Sequence, residues 1–400
     1  MHFLKAAALF GLPLISASPL VTRETAKALQ ARGEIEGLEH LNEQALNALQ
    51  KQDDTSNSTE AAVERRGGRC NLFNARVRRD WNSFSSKDKK AFIAAVKCIQ
   101  SKPSIGDKSF APGARTRYDD FVAVHINQTL SIHGTGNFLT WHRYYLYIFE
   151  EALRNECGYT GDMPYWNWLD SKEDPSKNSL FDGSDTSFSG DGSYVPHNGS
   201  INANGNVWIP SGKGGGCVTS GPFVDYEINL GPVLPIQDGV KPAPTPLGYN
   251  PHCLSRDLSA FTAVNWLTLG NILNVTTGAA SRSVLTFQNE LQGRFTDGFL
   301  GLHTAGHGVM GGISGDLYGS PVDPVFWLHH AMVDRIYWIW QALHPFQAKT
   351  VAGTITLFNR PPSRPTSVED YINLGVNAEP IQIKDILDTL DGTPLCYIYL

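Results

Sequence analysis

Six of the twelve histidines fall in two short windows, His125/His133/His142 and His303/His307/His330. Each window has the count and setting to hold one copper ion, for which imidazole is a good ligand, as it is for zinc and iron. Two matched triplets point to a coupled dicopper site that handles dioxygen. Both windows run through sequence rich in Trp, Phe and Tyr, where an unliganded imidazole has little reason to be buried.

The spacing says which elements must position these rings. His125 follows Tyr118 and Phe121/Val122 at helical spacing and shares their inward face. His142 lies near the start of the next helix, above Tyr145/Leu146 and Phe149, and His133 sits in the Gly134-Thr135-Gly136 loop between the two. His303 and His307 are four apart, on one helical face. The pair lacks the HExxH glutamate, which removes the zinc-protease reading.

The next helix offers His329 and His330, about 100° apart, so only one can join the triplet. His330 is the better candidate, with Asp334 one turn later and Tyr337 and Gln341 along its face. His329 reads as a packed or supporting histidine. Asp334 is expected to accept a proton from a ligand histidine's other nitrogen or from backbone, or else to sit on an ordinary helix surface beside Arg335.

Helical periodicity runs through 87–99, 117–128, 141–156 and 329–344, which implies a bundle. Between about 171 and 251 the pattern dissolves into Gly, Ser, Asn and Pro apart from pieces such as 207–210, a long structured loop region. Its Gly212–Gly216 run lacks the GxxxxGK[ST] order of a phosphate loop.

Residues 1–18 run from a basic start through an apolar stretch to Ser16-Ala17-Ser18, the pattern of a secretory signal peptide. That stretch is too short to span a bilayer and no later one qualifies. Residues 19–66 read as a pro-segment or linker: rich in Ala, Glu and Gln and nearly free of aromatics, they are expected to bury little apolar surface. Arg65-Arg66 would suit a dibasic processing protease, leaving residues 67–400 as one catalytic domain.

Net charge is −6 with no basic cluster beyond Arg65 to Arg79, which argues against nucleic acid. Six cysteines in a secreted chain read as disulfides, with the pairing open. Sequons at Asn57, Asn127, Asn198 and Asn274 suit the same extracellular compartment, with Asn57 leaving in the pro-segment.

The stretches Phe138-Leu139-Thr140-Trp141-His142-Arg143 through Glu150, and Asp323-Pro324-Val325-Phe326-Trp327-Leu328-His329-His330 through Asp334-Arg335, resemble the two copper motifs of the tyrosinase, catechol oxidase and haemocyanin superfamily. Met163 to Trp168, Gly221-Pro222-Phe223 and Tyr397-Ile398-Tyr399 are similar to further landmarks, so the resemblance covers Cys70 to Leu400. It implies a mainly α fold, a four-helix bundle around a dinuclear copper site with long irregular loops and a few short strands. It implies His125, His133 and His142 on one copper and His303, His307 and His330 on the other, with dioxygen as co-substrate.

Two departures matter. Many fungal relatives carry a cysteine two residues before the middle ligand of the first copper, forming a thioether, where this chain has Ser131. Long relatives carry a C-terminal plug domain, whereas this chain stops at the tyrosine motif, so any latency must come from the N-terminal segment.

The resemblance also bears on which phenols react. Members that hydroxylate monophenols well hold a water between a glutamate and an asparagine; the matching positions here are Gln292 and Thr304. Without an anionic carboxylate, Gln292 cannot raise that water's basicity. The expected activity is oxidation of catechols to ortho-quinones, with weak or selective monophenol hydroxylation. Leu317, where some plant enzymes place phenylalanine over the copper, and Gly308, after His307, are expected to leave the substrate mouth open. The alternatives are a full tyrosinase, an ortho-aminophenol oxidase, a tailoring oxidase that couples phenolic metabolites, and, from a different class, an oxygen carrier. The expected partner is a small phenol, with neither nucleic acid nor membrane.

Overall fold

The computed structural model describes residues 23–56, 70–202 and 206–400. The signal-peptide reading, Asn57 and the Arg65-Arg66 pair lie outside them. Nine helices carry the described fold: α1 (Arg23–Ser56), α2 (Ser86–Ser101), α3 (Arg117–Ile132), α4 (Phe138–Cys157), α5 (Ala260–Trp266), α6 (Leu269–Thr276), α7 (Val284–Gln292), α8 (Gly301–Met310) and α9 (Val325–Leu343). The resemblance implied a mainly α fold, and that is the architecture.

Local chemistry sets the ends of these helices. The Ser85 hydroxyl caps α2 by accepting from Asp88 N. Thr116 and Asp119 form a reciprocal capping box at the start of α3. Gly158, at φ 67°, stops α4 in the left-handed conformation open to glycine. Helix α4 starts three residues before the expected Trp141 and α9 four before His329, because neither has a side-chain cap to mark its first turn.

Around them lie ten short strands paired two by two: β1 (Arg76–Arg78), β2 (Gly192–Tyr194), β3 (Ser200–Asn202), β4 (Val207–Ile209), β5 (Gly215–Val218), β6 (Glu227–Ile228), β7 (His252–Cys253), β8 (Tyr371–Ile372), β9 (Ile381–Gln382) and β10 (Tyr397–Tyr399). β1 and β10 pair in parallel, with Arg78 opposite Tyr399. The disulfide Cys70–Cys396 closes that junction, Cys98–Cys157 joins the ends of α2 and α4, and Cys217–Cys253 staples the loop region. The Gly212–Gly216 run does have a receiver for its N–H groups: Gly212 and Gly214 both donate to the Asp257 carboxylate.

The core is unusually aromatic where α3, α4 and α9 meet. Phe149 and Trp327 stack at 3.6 Å between centroids. The Trp327 indole donates to the Tyr118 hydroxyl, which donates to Pro321 O. Such pairs contribute about 0.5–1.5 kcal/mol beyond their area, and they fix the rotation of the helices that carry the histidines.

Helix α1 departs from the expectation of little apolar burial. Leu38, Leu41 and Ala45 are fully buried against the domain. Asn42 donates to Tyr399 O and accepts from Arg335 Nε, and Lys172 is paired with Glu34. Three apolar residues at helical spacing suffice for docking, so counting aromatics understated this face.

Candidate metal centre

The first triplet comes from α3, its terminus and α4. His125 Nδ1 donates to Tyr318 O at 2.8 Å, His133 Nδ1 to Thr129 O at 3.0 Å and His142 Nδ1 to Phe138 O at 2.8 Å. A carbonyl can only accept, so each ring carries its proton on Nδ1 and keeps the Nε2 lone pair free. The three rings lie 5.0–5.8 Å apart between centroids.

The second triplet comes from α8 and α9. His303 and His307 are 4.9 Å apart, and His330 lies 5.0 Å from His303 and 5.5 Å from His307. His142 and His330 stack at 4.5 Å, which sets the triplets side by side. Within each triplet the ligand nitrogens lie within 4.8 Å of one another.

The unpaired nitrogens show what the site can hold. His125 Nε2, His142 Nε2, both nitrogens of His303 and of His330, and His307 Nδ1 are buried without a partner. Each unsatisfied buried group costs about 1–3 kcal/mol, and so many in one place fit a site built for metal. Burial lowers the basicity of all six rings, His133 to about 4 and His307 to about 3, so they stay neutral and able to ligate. Two groups of three neutral imidazoles, with no carboxylate among them, fit two copper ions.

His329 lies close enough to count geometrically with the second group, but both its nitrogens are engaged. Its Nδ1 accepts from the Trp168 indole at 3.1 Å and its Nε2 donates to His303 O at 2.9 Å. It supports the backbone of His303 and is packed against Trp168.

Asp334 departs from both of its readings. Its carboxylate touches no ligand histidine, and it is buried. It accepts from Arg143 Nε at 2.6 Å, from Arg78, and from the Tyr397 and Tyr399 hydroxyls at 2.7 Å each. Arg143 adjoins His142 in sequence, so Asp334 ties the histidine-bearing helices α4 and α9 to the C-terminal strand.

A cavity of about 270 Å³ reaches both triplets at His133, His303 and His307, and Gln292, Thr304 and Leu317 are among the residues that line it. Gln292 Oε1 accepts from Gly134 N at 2.8 Å, its Nε2 donates to Gln288 O, and the Thr304 hydroxyl donates to Gln292 O at 2.7 Å. Gly308 is a correction. It does not line the cavity: a side chain there would meet Thr262 and Ile209, so the glycine makes room for α5, not for substrate.

Sequence reasoning missed Phe295, Leu357, Phe358 and the half-exposed Leu130 and Leu234 at the mouth, and the buried Asp316 in the wall. They come from separate loops and helix ends, with no periodicity to mark them. Among the sequons, Asn127 is exposed on α3, the Asn198 amide donates to Asp238, and the Asn274 amide donates to Glu290. Ser131 is exposed and its hydroxyl turns back to Gln128 O.

The described "Common central domain of tyrosinase" matches residues 115–343. "Tyrosinase-like protein orsC" of Emericella nidulans is 42% identical over 310 residues, covering 74% of this chain and 82% of its own. "Tyrosinase P" of Aspergillus terreus is 37% identical over 334 residues, covering 81% and 91%. A solved polyphenol oxidase variant from Thermothelomyces thermophila superposes with a TM-score of 0.84 at 38% identity, covering 91% of this chain and 98% of that one. With the helices, the two histidine triplets and these relatives in agreement, the chain belongs to the tyrosinase family, whose members use a dinuclear copper centre.

Proposed function

We propose that this protein oxidises ortho-diphenols to ortho-quinones with two copper ions, reducing dioxygen to water, and hydroxylates monophenols only weakly or selectively. Two catechols give up four electrons and four protons to one dioxygen, yielding two quinones and two waters. When bound, the copper pair supplies the dioxygen binding and electron transfer that no side chain of this site could provide.

The protein's own part is positioning and proton control. The six rings are held neutral and presented from four helices, and a phenol enters past Leu317 and Thr304. The observation that carries the diphenol reading is the lack of an available base. Among the described residues Asp316 is the one carboxylate on the cavity wall, and it already accepts from the backbone N–H groups of Val233, Leu234, Tyr318 and Gly319. The Gln292 carboxamide is likewise spent on backbone partners. A monophenol therefore finds no side chain poised to take its proton, while a catechol is the more acidic substrate.

A copper-loaded preparation should take up one dioxygen per two catechols oxidised and hold two coppers per chain. Uptake without quinone formation would reject the reading. A second reading, a tailoring oxidase for a larger phenolic metabolite, draws support from a relative 35% identical over 348 residues that is named an N-acetyl-6-hydroxytryptophan oxidase.

In the same proposal the first eighteen residues direct secretion, residues 19–66 form a segment open to processing after Arg66, and Asn127, Asn198 and Asn274 are candidate glycosylation sites. No described helix is long and apolar enough to cross a membrane.

A further inference from the structure

The mouth of the copper cavity carries an aromatic residue held in a conformation that costs energy. Phe358 has φ 50° and ψ 30°, left-handed backbone that a bulky side chain rarely adopts. Its backbone N donates to Gly134 O at 3.0 Å. A Cβ on Gly134 would come within 2.8 Å of the Phe358 ring, so the ring lies directly on the loop that follows His133. Phe295 meets it edge-on, 6.3 Å away between centroids. Phe358 nonetheless leaves half its surface in solvent.

The rest of the rim has the same character. Leu130 and Leu234 are each about half exposed at the cavity, and Leu357 lies beside Phe358. Among the described residues no Lys or Arg lines the cavity. The only carboxylate among its described lining residues, Asp316, is fully buried and saturated by backbone donors, so it is not free to pair with an ammonium group. Neither charge of an amino-acid phenol would find a partner, and desolvating an unpaired charge is costly. A neutral apolar extension on the phenol would find a wall of aryl and branched aliphatic side chains.

We propose that Phe358 is a specificity-determining residue, and that with Phe295 it forms an aryl subsite selecting uncharged phenols that bear an apolar or second aromatic group. The proposal deepens the catechol-oxidase reading and rests on it for the place where the phenol ring sits. The strained backbone is what puts the ring over the Gly134 loop, where it faces both the entering substrate and the protein.

The test compares catechol, 4-phenylcatechol and 3-(3,4-dihydroxyphenyl)propanoate on the copper-loaded full chain, as kcat/KM in air and as Kd by anaerobic titration of the fully reduced cuprous protein, which cannot oxidise them. The intact protein should favour 4-phenylcatechol over either of the others by about tenfold, the upper range for one aromatic contact. Phe358→Asn removes the ring while suiting left-handed backbone, and it should collapse the 4-phenylcatechol-to-catechol ratio towards one. Phe358→Tyr keeps the ring and should preserve that ratio.

Equal Kd values for the three ligands in the intact protein, or a ratio that Phe358→Asn leaves unchanged, would overturn the proposal. Failure of the oxidase reading looks different: no quinone from any catechol, with the anaerobic Kd series still reporting on the subsite.

Discussion

The Gln292 side chain bonds to the backbone N–H of Gly134, joining the end of α7 to the loop that presents His133. Its carboxamide is thereby a positioning group for a ligand loop as well as the place where a base is missing.

Replacing it tests both roles. In Gln292→Glu one oxygen can still accept from Gly134, but the other faces the Gln288 carbonyl to which Nε2 now donates. Burial and that carbonyl would push the new acid's pKa upward, towards the range useful in a general base. The double variant Gln292→Glu/Thr304→Asn should raise monophenol turnover relative to catechol by about tenfold or more. A ratio unchanged from the parent would remove the argument that these two positions set the balance.

The neighbouring histidines should separate cleanly. His330→Asn removes one ring of the second triplet and should lower copper to about one per chain with loss of oxidase activity. His329→Gln keeps a donor for His303 O and an acceptor for Trp168, and should retain two coppers. Metal analysis of the two purified variants decides this, and copper loss in His329→Gln alone would reverse the assignment.

Acid stability should depend on the carboxylates beneath the site. Burial alone would raise the pKa of Asp334, but Arg143 and Arg78 hold it below the usual carboxylate range; burial is likewise outweighed at Glu150 by Arg78 and Arg154. A depressed folded-state pKa gives stability that is present above the unfolded carboxylate value of about 4 and lost as pH falls through the folded one. Asp334→Asn should therefore flatten the acid limb of a stability-against-pH curve. It should also cost about 3–5 kcal/mol at neutral pH, because Arg143 is left buried without its anion. Denaturant melts from pH 2 to 7 provide the check, and an unchanged acid slope would count against the account.

Helix α1 buries Leu38 and Leu41 on the domain, and none of its described side chains lines the copper cavity. A chain beginning at Gly67 should be less stable by about 3 kcal/mol or more, from the two leucines alone. Its kcat/KM for catechol should not rise. A marked activation on removing the segment would show that it restrains the site after all.

How much was legible beforehand follows from where each signal lies along the chain. The six clustered histidines stood out because a site carried on helices imposes fixed spacing: four residues between His303 and His307, and one histidine near the start of each following helix. The helices around them showed through periodic aromatic residues such as Phe121, Phe149 and Trp327. Gly308 misled because sequence adjacency to His307 says nothing of which way a helical residue faces; it turns to α5. Asp334 was placed on the right face one turn from His330, yet its partners Arg78 and Tyr399 lie hundreds of residues apart and meet only through the parallel β1–β10 pair. Phe358 and Leu234 reach the mouth from loops whose paths no local pattern encodes.

The most direct test of the central claim is oxygen uptake by copper-loaded protein on a matched catechol and monophenol of equal substituent. The account predicts rapid uptake with the catechol and a slow or lagging response to the monophenol. Comparable rates on both would contradict it, because a phenol would then be losing its proton readily in a cavity whose only carboxylate among the described residues is already committed to four backbone donors.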